Sequence, residues 1–170
     1  MARKIVTYPE PVLALKAAPV PEITEDIRAL AAEMAELMYA DKGIGLAAPQ
    51  VGESIRLITV DLSGPEKRED LHVFVNPVLS NFEGEVESEE GCLSVRGYRT
   101  TVTRAEKVHL SAQDLDGNQI EMDADDLMAI CLQHEVDHLE GVLFIDKISR
   151  LKRMMYERKL KKWLQQKKKD

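Results

Sequence analysis

The chain has 170 residues, a formal net charge of -7 and a hydrophobic fraction of 44%, which fits one domain with its own core and excludes intrinsic disorder. Two cysteines exclude a disulfide-stapled mini-protein. The longest apolar run, Leu127 to Leu132, falls far short of the roughly 18 residues of a membrane span.

From the N-terminus, Tyr8-Pro9-Glu10-Pro11 interrupts the chain before any apolar stretch develops. No secretion signal is expected there, and a cytoplasmic address follows. Pro9, Pro11, Pro19 and Pro21 predict an extended arm over residues 1–22, strapped across the core. Thr24 is the expected cap of a first helix, in which Ile27, Leu30, Ala31, Met34, Leu37 and Met38 recur at helical spacing up to Gly43. Gly43 to Gly52 holds three glycines and a proline and reads as a loop with apolar contacts. Strands are expected at Ile55 to Val60 and His72 to Val75, separated by a polar loop from Asp61 to Asp70. Residues 83–90 are strongly acidic. Val102 to Asp114 alternates imperfectly, and Asp116-Gly117 marks a hairpin into Gln119 to Met122. A helix then follows, with Asp123 as its expected cap, Gly141 as its end, and Leu127, Ile130, Cys131, His134 and His138 on one face. Val142 to Ile145 reads as a short strand or turn. A last helix starts at Ser149, with Leu151, Met154, Met155 and Leu160 as its apolar positions. Strands in the middle and helices at both ends predict an α+β fold with an antiparallel sheet.

Charge is uneven. Residues 150–170 hold ten Lys and Arg against two acids, whereas residues 1–149 hold 13 basic and 28 acidic residues. The chain is therefore read as one domain over 1–149, extended by a basic tail or helix at 150–170. The tail is either a solvated helix face or a surface for RNA.

The sharpest local pattern is His134-Glu135-Val136-Asp137-His138. On a helix, residues i and i+4 lie about 40° apart and one turn apart, so both imidazoles can reach one metal ion. Glu135 sits beside them and can serve as a general base without being a ligand. An exposed helix with His residues paired to acids is the plainer alternative. It is disfavoured by the apolar residues on the same face, because a buried His needs a partner. A third ligand is needed. His72 and His109 lie in strand-like runs and are expected to be partly exposed, and Cys131 reads as a small buried hydrophobe. Cys92 follows Glu89 and Glu90, where a thiolate needs a nearby positive charge, and a divalent cation would supply it. Cys plus two His leaves one coordination position open, which is the catalytic rather than the structural pattern.

Three segments taken together, Gly43-Ile44-Gly45-Leu46-Ala47-Ala48-Pro49-Gln50, Glu90-Gly91-Cys92-Leu93-Ser94 and Gln133-His134-Glu135-Val136-Asp137-His138, resemble in order and spacing the three motifs of the peptide deformylase family. The resemblance extends over nearly the whole chain. It implies antiparallel sheets around a central metal-binding helix, with one helix at each end of the chain. It implies a hydrolase that removes the N-formyl group from the initiator methionine of new polypeptides. Cys92, His134 and His138 match the ligands of one divalent ion, typically Fe(II), with zinc, nickel or cobalt able to take its place. Glu135 matches the general base. Gln50 matches the oxyanion-binding amide, and the Leu93 N–H contacts the same oxygen. Arg99, together with Glu90 and Gly91, is placed at the peptide. Gly43 and Gly45 allow close backbone approach, and Ile44 and Gly45 can pair with the substrate as an added strand. Ile44, Leu127, Ile130 and Cys131 are expected around the methionine side chain. Many members carry proline two residues after the motif serine, where this chain has Arg96.

Two other readings of the residues stand beside this one. The first is a zinc endopeptidase drawing its third ligand from a downstream acid such as Glu140 or Asp146. The second is a metal-stabilised RNA-binding module. The expected partners are nascent formyl-Met chains and, through the basic tail, ribosomal RNA. No membrane association and a monomeric state are expected.

Overall fold

The computed structural model describes residues 2–169. Helix α1 (Glu25–Ala40) is followed by strand β1 (Gly45–Ala47), β2 (Leu57–Val60), a one-turn helix α2 (Gly64–Lys67), β3 (His72–Glu83), β4 (Val86–Cys92), β5 (Val95–Arg104), β6 (Lys107–Gln113) and β7 (Gln119–Asp125). Helix α3 (Asp126–Leu139) and helix α4 (Arg150–Lys169) complete the chain. The strands form a five-stranded sheet in the order β1-β2-β3-β6-β7 and a separate β4-β5 hairpin, all antiparallel. The fold is α+β, with α3 packed against the large sheet.

Alternation in β2 explains the layering. Leu57 faces α1, where Leu30, Met34 and Met38 are buried. Ile58 and Val60 face the other way, onto Leu132 and Leu139 of α3. Period-2 side chains thus give the strand two buried faces. Both flanking helices are needed to cover them. Thr24 caps α1 as expected, its Oγ1 accepting the Ile27 N–H at 3.3 Å, and Glu25 and Asp26 favour the positive end of the helix dipole. The arm is held by backbone hydrogen bonds: Val6 N–H donates to Gln50 O and Tyr8 N–H to Ser94 O. Its own Leu13, Ala17 and Val20 are buried against the body.

Several boundaries differ from the sequence expectation. The Gly43–Gly52 segment is not loop throughout, because Gly45–Ala47 pairs with β2 and Ala48–Val51 forms a 3-10 turn. The run from Val102 to Asp114 is two strands, broken at Ala105-Glu106. The residue preceding α3 is Asp125, not Asp123, because pairing with β6 carries β7 through Asp125. Of the two options for Val142 to Ile145, the turn is realised, as a 3-10 turn over Phe144–Lys147. The largest difference is in α4. Leu151, Met154 and Met155 are exposed, while Tyr156 is buried against Val95, Val102 and Phe144. Of the four apolar positions expected to face the body, only Leu160 packs against it.

Candidate active site

The three motifs converge on one end of α3. His134, Glu135 and His138 come from its C-terminal half, with His138 in the last turn, and Cys92 ends β4 where the β4-β5 register slips between Gly91 and Cys92. The ligand atoms of Cys92, His134 and His138 all lie within 4.8 Å of one another. Cys92 Sγ is 3.4 Å from His138 Nε2. One thiol sulfur and two imidazole nitrogens suit a borderline divalent ion such as iron or zinc. This is the one group of three such donors found among the described residues. His72 and His109 stand elsewhere, in β3 and β6, paired to Asp70 and to Glu121 and Asp123.

Glu90 fixes the ring of His134. Its Oε1 lies 3.0 Å from His134 Nδ1, and Arg104 holds both its oxygens at 2.7 and 2.8 Å. Arg104 also donates to Asp137 at 2.6 Å. Burial favours the neutral acid in Glu90, but hydrogen bonds from Arg104 and His134 outweigh it and bring its pKa down to about 2. Burial likewise opposes charge on His134, yet hydrogen bonds to Cys92 and Glu90 hold its pKa up to about 10. Cys92 and Glu90 thus favour a cation beside His134, whereas burial pushes the pKa of His138 well down; a bound ion needs both imidazoles neutral and would take the place of the proton on His134. Gln133 reinforces the frame by clamping the N–H and C=O of Ala105 at 2.9 and 2.8 Å.

Glu135 is 4% exposed, and its Oε2 has no hydrogen-bond partner. Burial raises its pKa to about 7, which suits a general base near neutral pH. A Cβ at Gly45 would meet Glu135 Oε1 and Cys131 Sγ at 2.9 Å each, so the strand edge passes this carboxylate with no room for a side chain. Gln50 is 1% exposed. Its Oε1 accepts the Ala47 N–H at 2.9 Å, which turns its amide N–H groups toward Ser94 Oγ at 3.1 Å and Cys92 Sγ at 3.5 Å.

A cleft of about 810 Å³ opens over these groups. Gly43, Ile44 and Gly45 form one wall, Glu90, Gly91, Leu93 and Arg99 another, and Leu127, Ile130, Cys131, His134 and Glu135 the floor. All the expected peptide-side residues thus reach the cleft, with two qualifications. The Glu90 carboxylate is occupied by Arg104 and His134. The apolar face of α3 is not uniformly buried, since Leu127 at its open end is 50% exposed. Sequence reasoning missed Arg104, Asp137 and Ser94. A buried Arg inside an irregular β run was the available signal. The downstream acids of an endopeptidase reading are engaged elsewhere: Glu140 pairs with Arg56, and Asp146 with Arg153.

Residues 2–154 match the family model described as polypeptide deformylase. A peptide deformylase of Acidobacterium capsulatum is 51% identical over 162 residues, covering 95% of both chains. One of Thermodesulfovibrio yellowstonii is 49% identical over 158 residues, covering 93% of this chain and 96% of its own. The crystal structure of a peptide deformylase from Legionella pneumophila superposes with a TM-score of 0.92 at 44% identity, covering 100% of this chain and 99% of that one. With sequence, fold and donor set in agreement, the chain belongs to the peptide deformylase family, metal-dependent hydrolases that remove the N-formyl group from nascent polypeptides.

Proposed function

We propose that Cys92, His134 and His138 hold one divalent ion, natively Fe(II), and that Glu135 carries the proton transfers of deformylation. The supporting observation is the joint placement of these donors within 4.8 Å beside a buried carboxylate oxygen that lacks a partner. Bound there, such an ion would polarise the formyl carbonyl and make water more acidic. Zinc, nickel or cobalt fit the same donors.

The protein's own groups do the rest. Glu135 takes a proton from the attacking water and returns it to the leaving amine, a role its raised pKa favours. The oxyanion formed is held by the Gln50 amide, already oriented by Ala47, and by the Leu93 N–H. The peptide lies along the free edge of β1 as an added strand, past Gly43, Ile44 and Gly45. Gly91 and Arg99 face it from the hairpin side. Ile44, Leu127, Ile130 and Cys131 surround the methionine side chain. Glu90 acts one step removed, by orienting His134.

The enzyme works as a cytoplasmic monomer. No helix among the described residues is long and apolar enough to cross a membrane. The basic helix α4 serves as a contact for ribosomal RNA. Trp163 is exposed there, with Lys167 Nζ 4.4 Å above its ring, and such contact weakens steeply with salt.

The test is formate release from formyl-Met peptides by anaerobically purified, iron-loaded protein. Turnover of formyl-Met peptides with no cleavage of internal peptide bonds is expected. Endopeptidase activity without formate release would overturn the reading. For the tail, a truncation after Leu160 should lower ribosome co-sedimentation while sparing buried Tyr156. Unchanged co-sedimentation would remove the RNA role.

A further inference from the structure

The lip of the cleft has an uneven distribution of charge. Asp41 and Glu89 both line it, and both are already paired, Asp41 with Arg96 at 3.3 Å and Glu89 with Arg99 at 3.4 Å. Lys42 lines the same cleft, is exposed, and makes no ion pair among the described residues. Its backbone is left-handed, with φ of 59°. The lip therefore offers one positive charge that nothing nearby cancels.

The direction of the substrate follows from burial. The formyl end must lie by Glu135, which abuts Gly45. Leu46 and Ala47, on one side of Gly45, are fully buried. Along this strand edge a bound peptide therefore runs toward Gly43 and Lys42. Lys42 stands three positions before Gly45, a span of at most about 10 Å. An extended peptide covers that span with the residues that follow its methionine.

We propose that Lys42 is a specificity-determining residue of this deformylase and favours formylated peptides with an acidic side chain at the second or third position. The proposal rests on the peptide lying along β1. Arg96 supports Lys42 indirectly. By pairing with Asp41 it neutralises the acid next to Lys42 in the chain.

The test compares kcat/KM for formyl-Met-Ala-Xaa peptides, with Glu, Gln or Lys as Xaa, and for a second set with Xaa directly after methionine. An exposed charge pair of this kind corresponds to about two- to fivefold. The wild-type enzyme should favour Glu over Lys by that factor in at least one set. Lys42→Glu should invert the ratio. Arg96→Ala, which frees Asp41, should shrink it, as should salt of about 0.5 M. A ratio that Lys42→Glu leaves unmoved, or a wild-type preference for Lys, overturns the proposal. The Gln peptide separates the two layers of the argument. Formate release from it with no dependence on charge sinks the lip alone, whereas no release from any peptide sinks the deformylase reading and the lip together.

Discussion

Helices α3 and α4 distribute polar and apolar side chains in opposite ways. On α3, Gln133, Glu135 and His138 are buried at 8%, 4% and 1% exposure, while apolar Leu127 is half exposed. On α4, Leu151, Met154 and Met155 stand in solvent, and the helix meets the body through Tyr156 and the partly buried Leu160. Burial is decided by what faces an element, not by its own composition. Buried polar groups on α3 persist because each is satisfied by a partner or reserved for chemistry. Gln133 clamps Ala105, and His134 leans on Glu90. The exceptions, Glu135 Oε2 and His138 Nδ1, are without partners, and Glu135 belongs to the catalytic group proposed above. An unsatisfied buried polar group costs about 1–3 kcal/mol, so such a group points to function. The exposed apolar residues of α4 carry no comparable cost.

This contrast can be broken experimentally, and the largest effect should lie on α3. Glu135→Gln keeps the shape but removes the base, and kcat should fall by about 10²- to 10⁴-fold while the ion is retained. Unfolding in urea then compares the two faces of α4. Tyr156→Ala should cost about 3 kcal/mol, and Leu151→Ala no more than about 0.5 kcal/mol. Equal costs would show that the exposed stripe is covered after all. Arg104→Met acts on α3 through Glu90. It should weaken ion affinity by about 10- to 100-fold, read by chelator competition.

The smallest effect lies far from α3, at His109 on β6. Hydrogen bonds to Asp123 and then Glu121 raise its pKa above the usual 6.5. A raised folded value means that the pair stabilises fully below the unfolded pKa and fades as pH climbs through the folded one. The stability gap between wild type and His109→Gln should thus be wider at acidic than at alkaline pH. A gap that widens as pH rises would contradict that sign.

Much of this arrangement was legible in the residues. The α1 stripe, the Thr24 cap and the i, i+4 spacing of His134 and His138 are local signals, and local geometry realises them directly. The boundaries that failed depended on partners distant in sequence. Gly45–Ala47 is a strand only because β2 lies beside it. Asp125 precedes α3 only because β6 extends β7. Arg104 is separated from Glu90 by 14 residues and from Asp137 by 33. No periodicity marks such a junction, although a charged residue in an imperfectly alternating strand hints at one. In α4 the apolar spacing was real, but only tertiary packing could say which side faced the body.

The central claim is that Cys92 completes a metal site with His134 and His138. Metal analysis of anaerobically purified wild-type and Cys92→Ala protein, both confirmed folded by circular dichroism, tests it most directly. One equivalent of divalent ion in the wild type and essentially none in the variant is the predicted result. A folded Cys92→Ala protein that keeps its full equivalent would contradict it.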